Sequence, residues 1–298
     1  MSTKTQDVGR DLKDVRRELD VIDDAIQDLL MKRTELVVEV AEAKARAASA
    51  AGAGSFIAFR PGREAEVLRR LASRQTGRFP LKVVFRLFRE IITTMTSLQG
   101  PFRVDVFGAG ETLAYWDLAR SYYGSSTTME LHDNARDVLR RAASDPSVVA
   151  VLPEPGNYAG ADWWPSLALG GIKGARVVAR LPFLEVGDEA DTPKAYVVTQ
   201  ATFDETGDDT SLIVVSSQGD VSEAAIAARV KAVGFDATRV SVVQTSEGGA
   251  TRHNLFAVKA YVKPDDTRLA ALVSEGQAER AVLIGGYANP VRRAKDGE

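Results

Sequence analysis

LKDVRRELDVIDDAIQDLLMKRTELVVEVAEAKARAASA, residues 12–50, decides how the first third of the chain folds. Its apolar residues Leu12, Val15, Leu19, Ile22, Ile26, Leu29, Leu36 and Val40 recur three or four apart, the spacing that keeps side chains on one face of a helix. The series is unbroken only if position 33 belongs to it, and position 33 is an arginine. No glycine or proline interrupts from Asp11 to Ala51, so the pattern predicts one helix of about 35 residues and roughly 50 Å. A helix of that length cannot bury its stripe inside a small monomeric domain, which predicts pairing with a second chain.

Outward from this helix, Gly52-Ala53-Gly54-Ser55 reads as a loop, and a second helix follows Pro61-Gly62 with Ala65, Val67, Leu68 and Leu71. It stops near Gly77, and Pro80 suits the first turn of a third helix carrying Val84, Phe88, Ile91, Ile92, Met95 and Leu98. Gly100-Pro101 closes the helical part. The pattern then changes. A short apolar run from Val104 stops at Gly108, followed by a helix over about 112–123 and a strand at Val148–Leu152, which indicates an α/β unit over 102–203. Gly207-Asp208-Asp209 reads as a linker. Beyond it come strand (Ser211–Ser216), helix (Glu223–Val233), strand (Thr238–Thr245), strand (Leu255–Val262), helix (Thr267–Ser274) and strand (Ala281–Ile284), the βαββαβ order of a ferredoxin-like module over 209–291. Arg292–Glu298 reads as a loose tail. The expected fold is therefore multidomain: an all-α dimerising domain over 8–100, then an α/β domain, then the ferredoxin-like one.

Composition bounds the chemistry. The chain has 298 residues, 45% hydrophobic and 27% charged, with no cysteine and two histidines, His132 and His253. Disulfides, thiol nucleophiles, thiolate zinc and cysteine-bound iron–sulfur clusters are excluded, as is a His-rich metal site. A charged N-terminus and the lack of any long apolar run predict neither signal peptide nor membrane span, hence a cytoplasmic protein. The net charge of −3 conceals an asymmetry: residues 1–100 hold 18 Lys+Arg against 14 Asp+Glu, a net of +4 that leaves −7 for the remainder. A basic helical third suits an anionic partner, either nucleic acid or a small polyanion, or is a solvated basic face.

Arg33 is the most informative residue. Eleven residues, about three turns, separate it from Lys44, so the two cations share a face. A cation on an apolar seam meets an anion, snorkels outward, or sets the register of a helix pair. Arg16 lies 17 residues earlier, about 100° around the helix, so it does not easily serve the same pocket from the same chain, whereas in an antiparallel dimer it could reach the partner's. Arg63-Glu64 opens the second helix, and Gln99 lies one turn beyond Met95 on the third. Taken singly, these three read as solvated first-turn charges and a frayed helix end.

Together, Leu12-Lys-Asp-Val-Arg16, Asp20-Val-Ile-Asp23, Leu29-Leu30-Met-Lys-Arg33, Val40-Ala-Glu-Ala-Lys44, Pro61-Gly-Arg63-Glu64-Ala-Glu-Val-Leu68 and Phe88-Arg-Glu-Ile-Ile92 through Gln99 resemble the all-helical chorismate mutases over residues 8–99. The resemblance implies an intertwined homodimer that rearranges chorismate to prephenate, in phenylalanine and tyrosine biosynthesis, without a cofactor. It implies that Arg33 and the partner's Arg16 each clamp a substrate carboxylate. Lys44 and Gln99 would donate to the ether oxygen, Glu64 would accept from the ring hydroxyl, and Arg63 would support the site. Two positions depart from the family pattern: Arg60 stands where an acidic residue is usual, and Met95 where a small hydroxyl residue is usual.

Chorismate mutases are also found fused to prephenate dehydratase. Phe107-Gly-Ala-Gly-Glu-Thr112 and Val151-Leu-Pro-Glu-Pro-Gly-Asn157 resemble two dehydratase segments in distorted form, but Pro193-Lys194-Ala195 stands where the catalytic Thr-Arg-Phe would fall. That implies a degenerate dehydratase-like module. Gly108 and Gly110 would serve a tight turn or cradle an anion at the next helix. Val282-Leu-Ile-Gly-Gly-Tyr287 resembles the last strand of amino-acid-binding ACT domains. Gly219-Asp220-Val221 and Val243-Gln244-Thr245 replace the elements that grip phenylalanine, which implies a structural or dimerising role. His253 is expected beside a hairpin turn without ligand duty, and Trp163-Trp164 in packing rather than as an aromatic platform. The expectation is a chorismate mutase. Its competitors are a bifunctional mutase/dehydratase and a non-catalytic, metabolite-binding regulatory dimer, with neither nucleic acid nor membrane as partner.

Overall fold

In the computed structural model, which describes residues 10–52, 56–108, 113–156, 162–170, 172, 174–187, 192–245, 250–274 and 278–293, the first helix α1 runs Leu12–Ala50 without a break. Asp11 caps it, its carboxylate accepting from the Lys13 N–H, which meets one of the orphan donors of a first turn. The chain forms two compact units, one reaching to Phe56 and the other starting at Ile57. No residue of α1 is buried. Leu19, Ile22, Ile26 and Leu29 are 54, 53, 53 and 66% exposed, so the stripe read from the sequence is present and open.

The second unit begins with α2 (Pro61–Arg74) and α3 (Leu81–Gln99). Pro61 at the first helical position costs no hydrogen bond, because that N–H has no intrahelical acceptor. The two helices bury Leu68 and Phe85 in one core with Val104, Leu118 and Val151 of the α/β part. That part runs β1 (Arg103–Phe107), α4 (Ala114–Tyr123), β2 (Met129–His132), α5 (Ala135–Ser144), β3 (Val148–Pro153), α6 (Pro165–Ala168), β4 (Arg176–Leu181), β5 (Leu184–Val186) and β6 (Ala195–Thr199). Then come β7 (Asp209–Gln218), α7 (Glu223–Ala232), β8 (Ala237–Thr245), β9 (Thr251–Val258), α8 (Thr267–Ser274), β10 (Arg280–Ala288) and β11 (Val291–Arg293).

Nine of these strands form one sheet, in the order β2-β1-β3-β6-β4-β10-β7-β9-β8. The last four carry the βαββαβ module, and the sheet crosses from one half to the other where β10 lies parallel to β4 at Gly285 and Val177. Gly285 has φ +117°, and a Cβ there would lie 2.1 Å from the Val177 carbonyl oxygen. Only glycine allows that approach.

Two expectations need correction. Gly207-Asp208-Asp209 is no loose linker: Asp209 is buried, and its carboxylate accepts from the Thr206 and Gly207 N–H groups and the Thr206 hydroxyl. Arg69 of α2 clamps the same turn, donating to Thr206 Oγ1 at 2.8 Å and to the Asn289 carbonyl at 2.9 Å. The tail is not loose at Arg292 either. Val291–Arg293 pairs with β5 in parallel, Arg292 Nε lies 3.0 Å from Glu185 Oε2, and Arg293 donates to the Ala72 carbonyl. Residues 294–298 lie outside the described residues.

Candidate active site

The six residues singled out from the sequence divide evenly between the units. Arg16, Arg33 and Lys44 stand on α1, and Arg63 and Glu64 open α2 while Gln99 ends α3. Because α1 is continuous, Arg33 and Lys44 share one face about 16 Å apart along the axis, and Arg16 lies about 100° away around it. Arg33 is half-buried, and its Nη1 is shielded from solvent with no hydrogen-bond partner among the described residues. Burial lowers its pKa from the ordinary arginine value. A guanidinium still holds its proton under such a shift, so the site keeps a full positive charge with an unused donor. The Lys44 ammonium sits 5.5 Å from the centroid of the Phe56 ring, a distance at which ring and cation attract. Arg16 is exposed.

Glu64 is buried in the first turn of α2, and its Oε2 accepts from Arg89 Nη1 at 2.6 Å. Arg89, on α3, is 2% exposed. Its Nε donates to the Tyr122 carbonyl at 2.7 Å, Nη2 reaches Thr93 Oγ1 at 3.4 Å, and its Cζ stacks 3.6 Å from the Tyr122 ring centroid. Burial works against the Arg89 cation, but Tyr122 and Glu64 outweigh it and the pKa rises. The Tyr122 hydroxyl is pushed up to about 12, chiefly by burial. Sequence reasoning passed over Arg89, although its signal is visible: it stands four residues after Phe85 and three before Ile92, on the buried face of α3.

Arg63 points elsewhere. Its Nη1 pairs with Glu66 at 2.8 Å on the exposed side of α2. Gln99 donates from Nε2 to the Met95 carbonyl at 3.1 Å. Of the two positions that depart from the mutase pattern, Met95 is buried, and Arg60 pairs with Asp204 at 2.8 Å.

The other candidates are structural. Trp163 and Trp164 are fully buried, and Trp163 Nε1 donates to the Pro153 carbonyl. His253 is buried in β9, its Nδ1 2.8 Å from Ser216 Oγ and its Nε2 3.2 Å from Thr245 Oγ1; burial lowers its pKa. Gly110 lies outside the described residues. Gly108 is packed so closely that a Cβ would meet the Leu131 side chain at 2.7 Å. Among the described residues, Asp105, Glu130 and His132 bring possible metal-ligand atoms within 4.8 Å of one another. Arginines already occupy the carboxylates: Asp105 binds Arg103 at 3.1 Å and Arg141 at 2.6 Å, and Arg141 also binds Glu130 at 2.7 Å. Two guanidinium groups repel an incoming cation, so the cluster is an ion-pair network at the sheet edge.

Within the first unit, Arg33 and Lys44 put two fixed cations on one helix face. That suits holding and polarising an anion rather than passing a proton or acyl group. Residues 15–100 match the family model for chorismate mutase type II. The bifunctional chorismate mutase/prephenate dehydratase of Stutzerimonas stutzeri is 30% identical over 150 residues, which are 50% of this chain and 40% of that protein. The protein of the same description from Pseudomonas aeruginosa is 29% identical over 153 residues, again 50% and 40%. The chain thus spans 40% of the length of these curated relatives. A prephenate dehydratase structure from Streptococcus mutans is similar over 64% of this chain and 100% of its own, with 14% identity and a TM-score of 0.46. The helices that carry Arg33, Lys44, Glu64 and Arg89 thus lie within the matched span, and residues 15–100 are a chorismate mutase type II domain.

Proposed function

We propose that the protein is a cytoplasmic, homodimeric chorismate mutase that rearranges chorismate to prephenate. The observation that carries this reading is Arg33: a half-buried guanidinium whose shielded Nη1 has no partner among the described residues, inside the span that matches the mutase family. A shielded donor without an acceptor is costly unless one arrives, and chorismate brings two carboxylates. In this reading Arg33 clamps one carboxylate and the partner's Arg16 the other. Lys44 and Gln99 donate to the ether oxygen as it gains charge, and Glu64 accepts from the ring hydroxyl. The rearrangement moves no proton and forms no covalent intermediate, so it asks the protein only for orientation and preorganised donors.

The dimer is supported by the open stripe on α1. Fully burying one leucine or isoleucine of that stripe is worth about 1.5–3 kcal/mol, and a second copy would bury several at once. None of the described helices is long and apolar enough to cross a membrane, in keeping with a cytoplasmic enzyme. We read 102–203 as a degenerate dehydratase-like module and 209–291 as an ACT-like module with a structural role. The β10-β7-β9-β8 strand order supports the latter.

The test is incubation of the purified protein with chorismate, beside Arg33→Ala, with prephenate resolved from phenylpyruvate. Prephenate alone, lost in the variant, is the expected result. Phenylpyruvate would favour the bifunctional reading that the names of the relatives suggest. No turnover at all would contradict the enzyme and favour a metabolite-binding dimer.

A further inference from the structure

Between α3, α4 and the β4–β5 turn lies a cavity of about 460 Å³, within the roughly 300–1,000 Å³ range of ligand sites. Its wall is apolar: Phe85, Leu118, Tyr122 and Phe183 line it. The Phe85 and Phe183 rings stack with centroids 6.5 Å apart and planes 22° from parallel. That presents flat aromatic surface against which another ring can pack.

Three charged side chains on this wall have no partner among the described residues. Lys82 and Arg86 stand one turn apart on the same face of α3, and both are exposed. Neither makes a hydrogen bond or ion pair among the described residues. Asp117, from α4, lines the same cavity, and its carboxylate likewise has no partner among the described residues. Arg89 also borders it, but each of its three nitrogens is already committed to Glu64, Tyr122 or Thr93. Among the described residues the uncommitted charge is therefore two cations and one anion, a surplus of one positive charge over an aromatic wall.

We propose that this cavity binds a small aryl monocarboxylate, its ring between Phe85, Leu118 and Tyr122 and its carboxylate on Lys82 and Arg86. Asp117 sets the charge count: a second carboxylate on the ligand would face it and be repelled. None of the six residues assigned to the mutase lines the cavity, so binding here stands or falls independently of chorismate turnover.

Calorimetric titration of the full chain with phenylacetate tests the site directly. Saturable binding is expected, with no binding of benzylamine, which carries the opposite charge on the same ring. Lys82→Ala with Arg86→Ala should weaken phenylacetate by roughly tenfold or more, since charge-assisted bonds are lost. Both residues are exposed, so the variant folds. Leu118→Trp fills the cavity and should abolish binding. Phenylmalonate, which is phenylacetate with a second carboxylate, should bind more weakly than phenylacetate, and Asp117→Asn should narrow that gap. Absence of saturable heat, equal affinity for benzylamine, or binding that survives the loss of both cations would each overturn the proposal.

Discussion

Arg33 on α1 and Arg89 on α3 both interrupt an apolar helix face, yet the chain treats them differently. Arg89 is enclosed by a carboxylate, a carbonyl, a hydroxyl and an aromatic ring. Arg33 is half-buried and keeps a shielded donor with no partner among the described residues. A buried cation with every hydrogen bond met is a structural member, because its desolvation is already offset by neighbours. One with an unmet donor holds free energy that a ligand can release. The contrast separates a residue that builds the unit from one that waits for a substrate.

The largest effect expected is on stability at Arg89. Arg89→Ala strands Glu64 as an uncompensated buried charge and should cost about 3–5 kcal/mol, read as a lowered denaturant midpoint. Adding Glu64→Gln should recover part of that loss. If the single variant were as stable as wild type, the assignment of Arg89 to structure would fail. Arg33→Ala should do the reverse, leaving stability unchanged or slightly raised, since Arg33 makes no hydrogen bond to another side chain among the described residues.

Next in size is the α1 stripe. Ile22→Asp together with Ile26→Asp removes about 1.5–3 kcal/mol of apolar burial per side chain in the proposed dimer and should leave monomers in analytical ultracentrifugation. The same dimer makes a kinetic prediction. Inactive Arg16→Ala and inactive Arg33→Ala protein, mixed and allowed to exchange subunits, should regain turnover, because every mixed dimer carries one intact site. No recovery after proven exchange would place Arg16 outside the partner's site.

The smallest effect is at His253. Burial depresses its folded pKa below the unfolded value of about 6.5, so the unfolded state binds the proton more readily. Its contribution to stability is therefore present above about pH 6.5 and shrinks as the pH falls toward the folded pKa. Melting temperatures at pH 7.5 and 5.5 (buffers chosen well outside and inside that window) should show a steeper acid loss in wild type than in His253→Gln. Equal slopes would mean that His253 titrates as it does in the unfolded chain.

Local elements were legible because their signals are local. The run from Asp11 to Ala51 predicts one unbroken helix and α1 spans Leu12–Ala50, since periodicity and the lack of Gly or Pro suffice for a long exposed helix. The βαββαβ order beyond Asp209 was equally plain, as turn residues punctuate alternating patterns. Within 102–203 the reading was coarse. β4 and β6 are buried almost throughout, and a fully buried strand carries no alternation to mark it. The junction of Gly285 with Val177 joins residues far apart in sequence, which no local pattern encodes. The site was half legible for the same reason. Arg33 betrays itself by breaking a stripe, whereas the bond from Arg89 to Glu64 depends on how α2 packs against α3.

The central claim is that Arg33 serves a substrate and Arg89 serves the fold. Its most direct test is chorismate turnover and melting temperature measured on the same preparations of wild type and Arg33→Ala. The account predicts prephenate formation by wild type, a loss of roughly 10²–10³ in kcat for the variant, and no fall in melting temperature. Undiminished turnover by Arg33→Ala, or a variant that loses activity only because it unfolds, would contradict it.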